Sequence, residues 1–165
     1  MRYALVYGLL SGSIIILIMI AGFEFTGPDS FTHTLWYGYA LMLVVLTFLF
    51  LGVKRYRDIE CGGIIRFGRA FLIGLGIAVI ASIAYVVIFE AYLAATGYRY
   101  LGEIVAGAHT APERAEIESM LYNPLMRTMF VSLEILPVGV LVALVSAALL
   151  RNPKLLPAAG SIPQS

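Results

Sequence analysis

Glu134 and Pro137 stand inside an apolar run that extends over residues 129–150, and their pairing is where this sequence comes closest to chemistry within a helix. A proline has no N–H for the carbonyl four residues back. The oxygen of Leu133 is therefore left free, and the helix bends, beside the acid. An ionisable side chain at membrane depth is a functional hypothesis by default, because a carboxylate next to an orphan carbonyl can exchange a proton or hold a cation. The plain alternative is an acid kept neutral or paired for packing alone. Glu90 adds to the case. It follows the apolar run 70–89 and, in an antiparallel helix, reaches a depth similar to that of Glu134. Two carboxylates within about 4–6 Å would raise at least one pKa. Tyr85, Tyr92 and Arg127 are available as hydrogen-bonding or ionic partners. The candidate intramembrane ion or proton site is thus Glu134, Glu90, Pro137 and Tyr85, although Glu90 alone reads as an interfacial acid that reaches into water.

A second constellation is basic: Lys54-Arg55-Tyr56-Arg57-Asp58, then Gly62-Gly63, then Arg66 and Arg69. The cations Lys54, Arg55, Arg57, Arg66 and Arg69 suit anionic lipid headgroups or an acidic partner. Setting membrane topology is the simpler reading of the same charges. Other chemistry finds little to work with. His33 and His109 are far apart in sequence without a ligand cluster, and the single Cys61 has no companion for a disulfide or metal set. The serines in the apolar runs lack nucleophile-elbow glycines and a histidine within a span, so no enzyme and no cofactor is expected. A net charge of +1 leaves no global excess to recruit nucleic acid.

The elements that position these groups follow from composition. The chain has 165 residues, of which 61% are hydrophobic and 13% charged, where soluble domains run near 45–50% and about 25%. That is too little polar surface to wrap a water-soluble core. About 20 apolar residues span the hydrocarbon layer, and residues 4–23, 35–53, 70–89 and 129–150 qualify. Arg2 precedes the first run, but that run is too long for a signal peptide and lacks a good cleavage site, so a retained anchor is expected. Arg2, Lys54, Arg55, Arg57, Arg66, Arg69, Arg151 and Lys154 fall on one side of this map. The other side holds only Arg99, Arg114 and Arg127 among several acids. The positive-inside rule then puts both termini in the cytoplasm.

The fold class expected is all-α, an integral membrane bundle of four helices, with residues 1–155 as one domain and 156–165 as a disordered cytoplasmic tail. Residues 27–30 read as a turn in a short outer link. The longer outer link between spans three and four carries Thr110-Ala111-Pro112-Glu113, a capping-box pattern that predicts a short extra helix. Asn123-Pro124 predicts an N-cap for the last helix, and Gly97 a left-handed stop for the third. Small residues recur every four positions, at Ala4, Gly8 and Gly12, at Ala70, Gly74, Ala78 and Ser82, and at Gly139, Ala143 and Ala147. Such stripes serve close packing inside a bundle, and the Gly8/Gly12 pair is read that way rather than as a dimer face.

Several local patterns together resemble a known family. They are Gly38-Tyr39-Ala40-Leu41-Met42, Gly52-Val53-Lys54-Arg55-Tyr56-Arg57-Asp58, Gly62-Gly63 with Phe67-Gly68-Arg69-Ala70-Phe71, and Glu134-Ile135-Leu136-Pro137-Val138-Gly139. The chain is similar to the bacterial membrane family known as a domain of unknown function, DUF 4199, from the first helix to Arg151. One departure is Phe89, where the family leads one to expect tryptophan. The resemblance implies a small four-span inner-membrane protein of bacteria and brings no activity, ligand or catalytic residue with it. Two kinds of function follow. The first is a structural or accessory component acting through lipid contacts, an unidentified membrane partner or a second copy of itself. The alternative is a small oligomeric transporter or channel-like unit that couples protons or cations through Glu134 and Glu90. A lining of one acid and a few serines is sparse for transport, so the accessory reading ranks first.

Overall fold

Spanning helices gain most from close backbone approach, and small residues decide where that happens. The computed structural model describes residues 2–25 and 35–153. Among these the chain forms α1 (Arg2–Phe25), α2 (Leu35–Glu60), α3 (Phe67–Ala95), α4 (Arg99–Ala106), α5 (Ala111–Leu121) and α6 (Pro124–Leu150), with no strand. The segment Arg2–Gly22 of α1, all of α3 and all of α6 are each long and apolar enough to cross a membrane. The fourth expected span falls within α2, whose side chains at residues 35–40 and 42–46 lie outside the described set. So do the turn expected at residues 27–30 and the tail expected from residue 156.

The contacts fix how the long helices run. Gly8 lies against Ile77 and Ile80, and Gly12 against Ala81, while the Tyr85 hydroxyl donates to Met19 Sδ at 2.9 Å. Numbers rise together along both helices, so α1 and α3 are parallel. On the other flank Gly74 meets Ala143 and Gly139 meets Ala78, so α6 is antiparallel to α3. Gly52 meets Tyr7, and the Tyr3 and Tyr56 rings stack edge-on at 5.7 Å, which makes α2 antiparallel to α1. The N-terminal ends of α1 and α3 and the C-terminal ends of α2 and α6 therefore share one end of the bundle. All three small-residue stripes are used inside it, as the four-residue spacing predicts.

Two apolar clusters fill the interior. At the shared end, Ala4, Leu49, Val53, Ile65, Ala70, Ile77, Ala143, Ala147 and Leu150 pack together. At the opposite end, Ile15, Ile16, Tyr85, Phe89, Leu93 and Leu101 do the same. Ser11 does not break the apolar rule, because its hydroxyl donates to Tyr7 O at 2.7 Å and to Gly8 O at 3.1 Å along its own helix.

The short helices cap the second end. Gly97 stops α3 at φ 60°, and Tyr98 repeats the left-handed conformation at φ 62°. A non-glycine residue rarely adopts it, since its Cβ crowds the backbone. Tyr98 is held there by packing, with the Arg127 guanidinium 5.7 Å above its ring and the Tyr122 ring 6.5 Å away. The capping box at α5 forms as the sequence predicts, with Thr110 accepting from Glu113 N and Glu113 reaching back to Thr110 N. Asn123 likewise accepts from the N–H groups of Leu125 and Met126 at the start of α6. The amphipathic helix α4 is an addition the sequence reading did not anticipate.

Candidate functional site

Charged side chains gather at the two ends of the bundle. At the end capped by α4 and α5, Glu90 of α3 meets Arg127 of α6. Arg127 Nε donates to Glu90 Oε1 at 2.8 Å and Nη2 to Oε2 at 2.5 Å, a bidentate pair. Arg127 Nη1 also donates to the carbonyl of Leu121, the last residue of α5. The guanidinium is nearly dry at 3% exposure, whereas the Glu90 side chain keeps 30%. Of the partners expected for Glu90, Arg127 thus takes both carboxylate oxygens. The side chain of Glu134 lies outside the described residues, so a shared two-acid site has no geometry.

The other members of the expected intramembrane site are spread out. Tyr85 is buried, bonds Met19 and packs on the Phe89 ring at 6.2 Å. Pro137 sits within α6, which continues through it, and faces outward. With Leu133, Leu136, Val140, Leu141 and Leu144 it lines an apolar groove of about 420 Å³.

A second clamp at this end was not foreseen. Tyr92 Oη donates to Glu24 Oε1 at 2.7 Å, and Arg99 Nη2 reaches both Glu24 oxygens at 2.8 Å. These bonds tie the end of α1 to α3 and to the first turn of α4. The Tyr92 hydroxyl first, and then Arg99, holds the Glu24 carboxyl below the usual carboxylate range. A depressed folded-state pKa contributes stability above the unfolded value, about 4.3, and that contribution is lost as pH falls through the folded value. Acidification below about pH 4 should accordingly lower the protection of the α4 amides relative to their intrinsic exchange rates. Glu24→Gln should abolish that loss of protection, and wild-type protection that stays constant across this range would contradict it.

At the shared end, the five expected basic residues divide into two sets. Lys54 Nζ donates to Asp58 Oδ2 at 2.7 Å, and Arg57 Nε donates to Asp58 Oδ1 at 2.7 Å. Burial pushes the Asp58 carboxyl up, but the bonds from Lys54 and Arg57 outweigh it and hold it below its ordinary value. Arg57 continues the buried face of Leu49 and Val53 and is 0% exposed. Its Nη2 lies 2.6 Å from Asp58 Oδ1 without hydrogen-bond alignment, and its Nη1 has no hydrogen-bond acceptor among the described residues. By contrast Arg55, Arg66 and Arg69 are exposed. Arg69 Nε donates to Tyr56 Oη at 3.0 Å, with its guanidinium carbon 5.5 Å from the centre of that ring.

The sequence carried a local sign of the Asp58 cluster, since Lys54 and Asp58 are four apart on a helix. It carried none of the Glu24 clamp, whose partners lie 75 residues apart. Among the described residues no three His, Cys, Asp or Glu side chains converge to hold a metal ion. The arrangement orders helix ends and presents charge. A family model described as "Protein of unknown function (DUF4199)" matches residues 2–152. No curated protein and no solved structure matches the chain.

Proposed function

The chain belongs to this DUF4199 family, and from that premise we propose that it is an accessory component of a bacterial inner membrane. In this reading it crosses the bilayer four times, keeps both termini in the cytoplasm and works through contacts with lipid or protein partners rather than by catalysis. The observation that carries the reading is the bidentate Glu90–Arg127 pair. The acid best placed to join Glu134 in passing a proton or cation is taken up in joining α3 to α6, and the same arginine holds the end of α5. Further along the bundle, the buried Ser11 hydroxyl is satisfied within its own helix. Among the described residues, three apolar helices of membrane-crossing length support the setting.

Flux measured on protein reconstituted in vesicles tests this reading against transport. Wild type and Glu134→Gln should both move protons and small cations no faster than protein-free vesicles under a pH gradient. A gradient-driven flux that vanishes in Glu134→Gln would replace the accessory reading with the transport one. The single Cys61 reports sidedness, since a membrane-impermeant maleimide should reach it only from the cytoplasmic face.

A further inference from the structure

We propose that Arg55, Arg66 and Arg69, with the apolar side chains set among them, form a docking surface for the headgroups of anionic phospholipids. This rests on the reading that the hairpin between α2 and α3 lies at the cytoplasmic lipid boundary. Charge accounting singles out these three. Asp58 is shared by Lys54 and Arg57. Arg55, Arg66 and Arg69 have no carboxylate, Glu60 included, within ion-pair distance among the described residues.

Arg69 is already positioned. Its Nε is bonded to Tyr56, and its cation rests near that ring, so part of the entropy of ordering a long side chain is spent before any ligand arrives. With Nε occupied, the two terminal nitrogens remain to fork onto phosphate oxygens. The apolar neighbours identify the occupant. Ile59, Ile64 and Phe67 are 58%, 68% and 39% exposed in the same hairpin. Bulky apolar groups beside uncompensated arginines suit the layer where acyl chains meet phosphates, and they suit a soluble acidic partner or free phosphate poorly.

The full-length protein in neutral detergent micelles, titrated with phosphatidylglycerol or phosphatidylcholine, tests this without any question of sidedness. Phosphatidylglycerol should bind in preference. Arg66→Gln and Arg69→Gln should each weaken it about fivefold, which corresponds to ~1 kcal/mol for one basic residue at an anionic surface. The triple variant with Arg55→Gln should lose the preference while keeping its helical circular dichroism. Lys54→Gln should change little, because Asp58 already takes that charge. Equal losses in Lys54→Gln, a triple variant that still selects phosphatidylglycerol, or equal competition by inorganic phosphate would each overturn the proposal. A chain that carbonate strips from membranes would sink the membrane reading itself, whereas an integral chain indifferent to lipid charge would sink only this inference.

Discussion

Gly12→Ala should destabilise the protein by about 1–3 kcal/mol, the range for overpacking by a single small group, and Gly12→Leu should prevent the native helix pair from forming. A Cβ at Gly12 would stand 2.3 Å from the Ala81 carbonyl oxygen and 3.0 Å from that residue's C and Cα. These are backbone atoms of α3, so no rotamer change relieves the clash and the two helices must separate. Separation forfeits contacts along the whole interface, and dispersion is lost steeply over gaps of 0.5–1 Å. Other glycines grade the effect. At Gly76 the nearest atom is Ala4 Cβ at 3.5 Å, an ordinary contact, and at Gly68 nothing lies within 4 Å. Gly76→Ala should therefore be nearly neutral. Gly68→Ala should be neutral or stabilising, since alanine favours a helix by up to about 1 kcal/mol. Thermal and denaturant unfolding in micelles, followed by circular dichroism, would rank them. A Gly12→Ala protein as stable as Gly68→Ala would show that α1 and α3 do not meet through this glycine.

The same glycine shows why much of the fold could be read from the sequence. Stripes at four-residue spacing announce close helix contacts, and the Gly74–Ala143 and Gly139–Ala78 meetings put two of them face to face. Caps at Thr110 and Asn123 were equally legible, because each uses side chains within three residues of the backbone groups it satisfies. The helix α4 was not. It has eight residues with Gly102 in the middle, too short for a firm period and weak in intrinsic propensity. The Glu24 clamp was hidden for another reason. Charge type is visible in sequence, and Arg127 was one of three partners open to Glu90, but the choice of Arg99 for Glu24 is made by tertiary placement across 75 residues. Arg57 shows the limit of reading charge alone. It belongs by sequence to a basic hairpin, yet it lies on the buried face that begins at Leu49 and Val53.

Glu90→Gln should cost more than Arg127→Met, although both break the same pair. Removing one partner of a buried pair costs about 3–5 kcal/mol when the survivor stays dry and charged. After Glu90→Gln the survivor is Arg127, at 3% exposure, with the Leu121 carbonyl and the Tyr98 ring as its remaining neighbours. After Arg127→Met the survivor is Glu90, which at 30% exposure can take up water, so roughly 1–2 kcal/mol is expected once hydration is allowed for. The double variant should recover part of the Glu90→Gln loss, because no orphan cation is left. Hydrogen exchange locates the damage: Glu90→Gln should release the end of α5 and the Tyr98 corner while leaving the Gly12–Ala81 contact protected. If the two single variants cost the same and the double variant costs their sum, the pair is uncoupled. Glu90 would then not be committed to Arg127, and the argument against a proton path through this end of the bundle would fall with it.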